Sequence, residues 1–271
     1  MVTYALATCV VGDLGRAEAL TRIAEAGFRE VELGGTRGRL DDWPANPAQM
    51  RRDLEAHGLI ARSVHAPVPG WDVAASDDAR RRVAIEATTA CFGQSAQVGA
   101  DIVVCHPNGP ADAFTPEAFQ ESWGRTLDSL AVLAEGARRA GVKIALENLP
   151  ARGRPRPGST IAHVLAMIDG LGENVGTCLD AGHSNSNGLS AAAEAVQAAE
   201  KLLVLHLQDN DGRGEDQHLI PGRGTIDWDA FLTALDSINF QGVRTIEITY
   251  RPDLDGTMKA LAALRKEWEA R

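Results

Sequence analysis

Aromatic side chains make up only 5% of the 271 residues, so a core must come from aliphatic residues and alanine, a composition that suits helices packed on a parallel sheet. Cysteine is equally thin. Cys9, Cys91, Cys105 and Cys178 are far apart and form no C-x-x-C pair, which argues against a zinc ribbon and against a disulfide framework. Positive charge is in deficit. A formal net charge of -10 disfavours nucleic acid and anionic membranes as partners, because their binders use a basic excess to displace counterions. No segment approaches the roughly 18 uninterrupted apolar residues of a membrane span. The N-terminal stretch has no charged region leading into a long apolar run, so a cytoplasmic location is expected.

What is present is a rhythm. Short apolar runs occur at Thr3–Thr8, Glu30–Leu33, Ala61–His65, Asp101–His106, Lys143–Asn148, Gly176–Asp180, Leu202–Leu207 and Val243–Thr249. Between them lie amphipathic stretches such as Arg16–Ala26, Asp78–Val98, Pro116–Ala140, Ser190–Glu200 and Trp228–Asn239. Strands alternating with helices signal parallel β/α units. Gly27, Gly99 and Gly141 each stand between a helical stretch and the next strand, where glycine closes a helix in the left-handed conformation. Eight such units favour a closed barrel over an open doubly wound sheet, and barrels of this length form one domain. The fold expected is α/β, a (β/α)8 TIM barrel, as a single domain over residues 1–271.

Polar side chains end one strand after another. His65 closes the third run, His106 the fourth, Glu147 and Asn148 the fifth, Asp180 the sixth with His183 just beyond, His206 lies near the end of the seventh, and Glu247 stands in the eighth. Side chains alternate across a strand, so Glu147 shares its face with Ala145, Asp180 with Cys178, His206 with Val204 and Glu247 with Thr245. Leu146, Leu179, Leu205 and Ile246 then face the helices. A lone strand-end carboxylate is more often a helix cap, and a lone histidine is more often structural. Six of eight strands ending in this way is a pattern that those readings do not explain. Two Glu, one Asp and one His make an oxygen-rich site with one imidazole, suited to manganese, cobalt or magnesium and tolerant of zinc.

The sharpest stretch is Asp216-Gln217-His218-Leu219-Ile220-Pro221-Gly222-Arg223-Gly224-Thr225-Ile226-Asp227-Trp228. With the strand-five Glu-Asn, the strand-six Asp-x-x-His and the strand-eight Glu, it resembles the xylose-isomerase-like barrel superfamily over nearly the whole chain. That superfamily holds sugar phosphate isomerases, ketose 3-epimerases, inosose-handling enzymes and endonuclease IV-like apurinic endonucleases. The resemblance implies a metal-dependent isomerase or epimerase acting on a sugar, sugar phosphate or cyclitol by proton transfer through a metal-stabilised enediolate. Glu147, Asp180, His206 and Glu247 would be the metal ligands, with Glu147 and Glu247 as catalytic bases. His65, His106, His183, Asp216 and His218 would touch substrate or form a second metal shell.

The same resemblance leaves alternatives. His65, His106, Glu147, Asp180, His183, His206, Asp216, His218 and Glu247 also match the positions that bind three zinc ions in the apurinic endonucleases, so a multi-zinc phosphodiesterase is one. Loss of a β-hydroxyl from the same site would make an inosose-type dehydratase, and a non-catalytic sugar sensor is a further class. Arg213 and Arg223 flank the strand-seven loop as candidate anion-binding residues. Arg152, Arg154 and Arg156 stand in a Pro/Arg-rich stretch, Ala151–Gly158, expected to be an active-site loop. Glu32, at the end of the second strand, is read as rim or structural. Trp43, Trp71 and Trp123 are read as packing residues. Exposed apolar positions on barrel helices are compatible with a homodimer or tetramer.

Overall fold

Eight short parallel strands close on one another in chain order. A computed structural model describes residues 3–34, 39–109 and 115–271. The strands are β1 (Ala5–Ala7), β2 (Glu30–Leu33), β3 (Ile60–His65), β4 (Ile102–Cys105), β5 (Lys143–Glu147), β6 (Val175–Asp180), β7 (Leu202–Leu207) and β8 (Val243–Ile246). The helices are α1 (Arg16–Glu25), α2 (Pro47–Ala56), α3 (Asp78–Val98), α4 (Pro116–Ala140), α5 (Ile161–Ile168), α6 (Ala181–Ser186), α7 (Ala191–Ala198), α8 (Trp228–Ser237) and α9 (Leu254–Glu269). This is the (β/α)8 barrel that the rhythm of the sequence predicts. Among the described residues no helix is long and apolar enough to cross a membrane.

Local chemistry sets the helix limits. Asp77, Thr115, Thr160, Asp227 and Asp253 each accept a hydrogen bond from a backbone N–H in the first turn of the following helix, satisfying a donor that has no partner within the helix. At the other end, Gly99 and Gly141 stop α3 and α4 with φ of 95° and 72°. The first and last strands are shorter than their apolar runs. β8 pairs with β1 only at Thr245 and Ile246, and just past this point Glu247 leaves the strand with its N–H bonded to Leu207 O.

The period-two pattern divides the apolar residues into two layers. Leu146, Leu179, Leu205 and Ile246 are fully buried in the large cluster between sheet and helices, together with Phe231, Leu235 and Met167. Ala145, Cys178 and Val204 belong to a separate cluster with Ala5, Ile102, Val104 and Val243, which fills the barrel interior beneath the polar strand ends. Thr245 is fully buried with them.

This layering gives a direct test. Truncating the fully buried Leu205 to alanine is expected to cost about 2–5 kcal/mol, whereas the same change at the partly exposed Leu127 is expected to stay within about 0.5 kcal/mol. Urea denaturation followed by circular dichroism measures both. Equal midpoints for the two variants would contradict the layer assignment.

Candidate active site

A cavity of about 890 Å³ opens at the C-terminal ends of the strands. His65, His106, Glu147, His183, Asp216, His218 and Glu247 line it. Asp180 and His206 are fully buried and complete the cluster from beneath. One donor atom from each of Glu147, Asp180, His206 and Glu247 lies within 4.8 Å of the others. Three further groups obey the same limit: His65, His106 and Glu147; Glu147, Cys178 and His206; and His183, Asp216 and His218.

Histidine orientation is set by backbone carbonyls. His65 Nδ1 lies 3.0 Å from Ala66 O, His183 Nδ1 2.8 Å from Asn148 O and His218 Nδ1 3.1 Å from Glu247 O. A carbonyl only accepts, so each Nδ1 carries a proton and each Nε2 is turned elsewhere. Those Nε2 atoms meet carboxylates: His65 faces Glu147 at 3.4 Å, while His183 and His218 face Asp216 at 3.3 and 3.2 Å. In each contact either a proton or a cation must lie between the lone pairs.

Asp180 serves two purposes at once. It is the N-cap of α6, with Oδ1 accepting the His183 N–H at 2.7 Å, and its Oδ2 is buried without a hydrogen-bond partner. Glu147 Oε2 is also buried and unpartnered. It lies 2.9 Å from His106 Nε2, but the two are not aligned for a hydrogen bond. Glu147 Oε1 is bonded to His206 Nδ1 at 2.9 Å, and Glu247 Oε2 lies 3.2 Å from the same nitrogen. Two orphaned carboxylate oxygens inside a four-residue cluster of this donor set fit a divalent cation, since unpaired buried charge is otherwise costly.

The electrostatics agree. Burial works to raise the Glu147 carboxyl, yet the charge of His206, its hydrogen bond to Oε1 and the close His106 and His65 imidazoles hold it well below its usual range. Burial opposes the shift of Glu247 too, and His206 and His218 bring it to about 2. Asp180 moves the other way. Burial pushes it up and the negative charges of Glu147, Glu247 and Asp216 add to this, giving about 7 despite His183. Burial would lower His183, but Asp180 and Asp216 raise it to about 10. His218 reaches about 10 for the same reason, through Asp216 and Glu247. His106 falls to about 4 because burial dominates.

Further residues complete the site. Glu32, 1% exposed at the end of β2, lies 2.9 Å from His206 Nε2 and accepts a hydrogen bond from Ser63 Oγ at 2.7 Å. It backs the imidazole on the side away from Glu147. Gln208 Nε2 donates to Asp180 Oδ1 and Asp216 Oδ1 at 3.2 and 2.9 Å, tying the strand ends to the loop after β7. Asp209 shapes that loop. Its carboxylate takes N–H donors from Gly222, Ile226 and Trp228, and its backbone pairs with Leu219 in both directions. A Cβ at Gly224 would come within 2.2 Å of Asp209 and Asn210, so the loop closes only with glycine there. Trp71 stacks on His106 with ring centroids 4.4 Å apart and lines the cavity, which corrects its reading as a packing residue. Trp43 is buried in the core as expected. Arg152, Arg154 and Arg156 line the cavity, whereas Arg213 and Arg223 are exposed and do not.

A model of the xylose isomerase-like TIM barrel family matches residues 20–267, and the chain belongs to that family. Uncharacterized protein MJ1311 of Methanocaldococcus jannaschii is 29% identical over 193 residues, covering 68% of this chain and 63% of that protein. An inosose isomerase of Bacillus subtilis is 28% identical over 163 residues, covering 58% of this chain and 56% of the relative. The chain therefore spans under two thirds of the length of both. An L-ribulose 3-epimerase of Mesorhizobium japonicum is 26% identical, with 86% of this chain and 75% of the relative covered. Among solved structures, a D-tagatose 3-epimerase-like protein superposes with a TM-score of 0.85 at 24% identity, covering 99% and 97% of the two chains. The zinc-bound IOLI protein superposes with a TM-score of 0.79 at 20% identity, covering 99% and 96%.

The charge arrangement has a pH signature in the chelated protein. Raised imidazoles such as His183 and His218 bind protons more tightly folded than unfolded, so their stabilisation is full below about 6.5 and lost as pH rises towards 10. The lowered Glu247 contributes above 4.5 and loses that contribution as pH falls towards 2. Thermal unfolding in excess EDTA is expected to show the midpoint falling from pH 6.5 upward. His218→Asn is expected to reduce the slope of that fall. An unchanged alkaline slope in the variant would refute the assignment.

Proposed function

We propose that the chain is a divalent-cation-dependent isomerase or epimerase of a sugar or cyclitol, moving a proton at a carbon next to a carbonyl. The observation that carries this reading is the meeting of Glu147, Asp180, His206 and Glu247 within 4.8 Å at a cavity large enough for a small-molecule ligand. The names of the inosose isomerase and L-ribulose 3-epimerase relatives support the same reaction class.

Glu147, Asp180, His206 and Glu247 would hold a divalent cation, which would supply Lewis-acid stabilisation of the negative charge that develops on substrate oxygen. Manganese, cobalt or magnesium suits the donor set, and zinc is tolerated. The chain's own residues do the rest. Glu147 and Glu247 arrive from β5 and from just beyond β8, and both are ionised at neutral pH in the metal-free site, the protonation state a base requires. Glu32 and Gln208 hold His206, Asp180 and Asp216 from behind. His65, His106 and Trp71 form one side of the cavity, and the Trp71 ring covers an imidazole face that water would otherwise reach. Proton removal and return by a single carboxylate gives aldose–ketose isomerisation. Removal by one and return by the other on the opposite face gives epimerisation.

A second reading rests on the His65–His106–Glu147 and His183–Asp216–His218 groups. Cations held by these groups as well as by the four-residue cluster would suit a phosphodiesterase. The net charge of -10 weighs against a nucleic-acid substrate.

Two experiments test the proposal. Glu147→Gln and Glu247→Gln are each expected to abolish solvent deuterium uptake into substrate, in a screen of ketoses, ketose phosphates and inososes with manganese, while circular dichroism stays unchanged. Persistent uptake in both variants excludes these carboxylates as the bases. Metal analysis by inductively coupled plasma mass spectrometry is expected to find about one ion per chain, with activity lost on exhaustive chelation. About three zinc ions per chain would favour the phosphodiesterase instead.

A further inference from the structure

We infer that the substrate carries an anionic group, a phosphate or a carboxylate, at the end remote from the reacting carbon, and that Arg152 receives it. This rests on the isomerase or epimerase reading of the same site.

The cavity carries both signs of charge. Glu147, Glu247, Asp216 and four histidines lie at the β3–β8 ends and on the loop after β7, while Arg152, Arg154 and Arg156 line it from the loop after β5. At about 890 Å³ the space lies near the upper end of roughly 300–1,000 Å³ for small-molecule sites. An open-chain sugar seated on the carboxylates leaves room for a further group towards the arginines.

The loop is built to hold its shape. Asn187, the residue just after α6, fixes it, with Oδ1 accepting the Ala151 N–H at 2.7 Å and Nδ2 donating to Leu149 O and Ser159 O at 3.0 and 2.8 Å. Arg156 fixes the far limb, donating from Nε to Asn108 Oδ1 at 2.8 Å and from Nη1 to Pro150 O at 2.9 Å. Between these anchors Arg154 N–H donates to Ala151 O at 3.1 Å, and the two residues inside this turn have φ of 53° at Arg152 and 69° at Gly153. Two successive left-handed residues are the pattern of a type I′ turn, whose first central position favours Asn, Asp or Gly. An arginine sits there at a conformational cost, and strain of this kind gathers at ligand clamps.

Arg152 makes no hydrogen bond or ion pair within the described structure. A guanidinium gains little from neutral sugar hydroxyls that water can replace, but matches a phosphate or carboxylate with two parallel hydrogen bonds. On a chain of net charge -10, a cationic loop at the cavity also marks where an anion is drawn in.

The test compares matched probes on the manganese-loaded protein by isothermal titration calorimetry: D-fructose, D-fructose 6-phosphate, D-glucuronate and inorganic phosphate. At least one of the two anionic sugars is expected to bind about tenfold or more tightly than D-fructose, and Arg152→Ala is expected to erase most of that margin. Which one gains separates phosphate from carboxylate. Equal affinity for neutral and anionic sugars, binding by none of the four probes, or a margin that survives in Arg152→Ala would overturn the inference. The proton-transfer reading fails separately, by absence of deuterium uptake from solvent.

Discussion

Negative charge gathered in a dry space is the constraint on which this molecule is organised. Glu32, Glu147 and Asp180 are each no more than 1% exposed, and Glu247 stands close by. Carboxylates so placed cannot all remain ionised unless positive charge or donors surround them. His206 lies between three of them, with Nδ1 towards Glu147 and Glu247 and Nε2 towards Glu32. Burial and its acidic neighbours push Asp180 up to about 7, and Oδ2 of Asp180 and Oε2 of Glu147 have no hydrogen-bond partner. A cation would fit where these two oxygens are left unpaired.

The barrel makes this concentration tolerable. Layers of small and aliphatic residues, Ala145, Cys178, Val204 and their neighbours, lie beneath the polar ring, and the large cluster under the helices secures each strand on its other side. The polar chemistry is thereby confined to a single shell at one end of the strands. Its partners are fixed by backbone carbonyls, by Gln208 and by the loop that Asp209 shapes, so few of the site's side chains are free to reorient.

Much of this was legible in the sequence, because strand alternation turns position into direction. Glu147, Asp180 and His206 follow small interior residues at a spacing of two, and the structure brings them to one cluster with Glu247. His65, His106, His183, Asp216 and His218 join the same cavity. The loop after β5 also stands where the Pro/Arg-rich stretch suggested. Glu32 is ambiguous in the sequence because its strand-mates do not reveal that Ser63 and His206 turn it inward. Gln208 was missed since an amide carries no chemical signal until the two carboxylates it bridges are known. Trp71 depends on how the segment after β3 folds back over His106, which no periodicity encodes. Arg213 and Arg223 follow the right strand, yet the Asp209–Leu219 pairing sends that loop outward where they stand, and both are exposed.

The double duty of Asp180 carries a consequence for how such a site can change over generations. One oxygen starts α6 and the other is left for the cluster, so the helix that presents His183 begins at the very side chain whose chemistry it serves. Asparagine at this position could still start the helix but would bring no charge. Glutamate would bring the charge but reach past the amide. Divergence towards new substrates is therefore channelled away from this position and into the loops around the rim, where backbone and side chain are not answerable to each other in the same way.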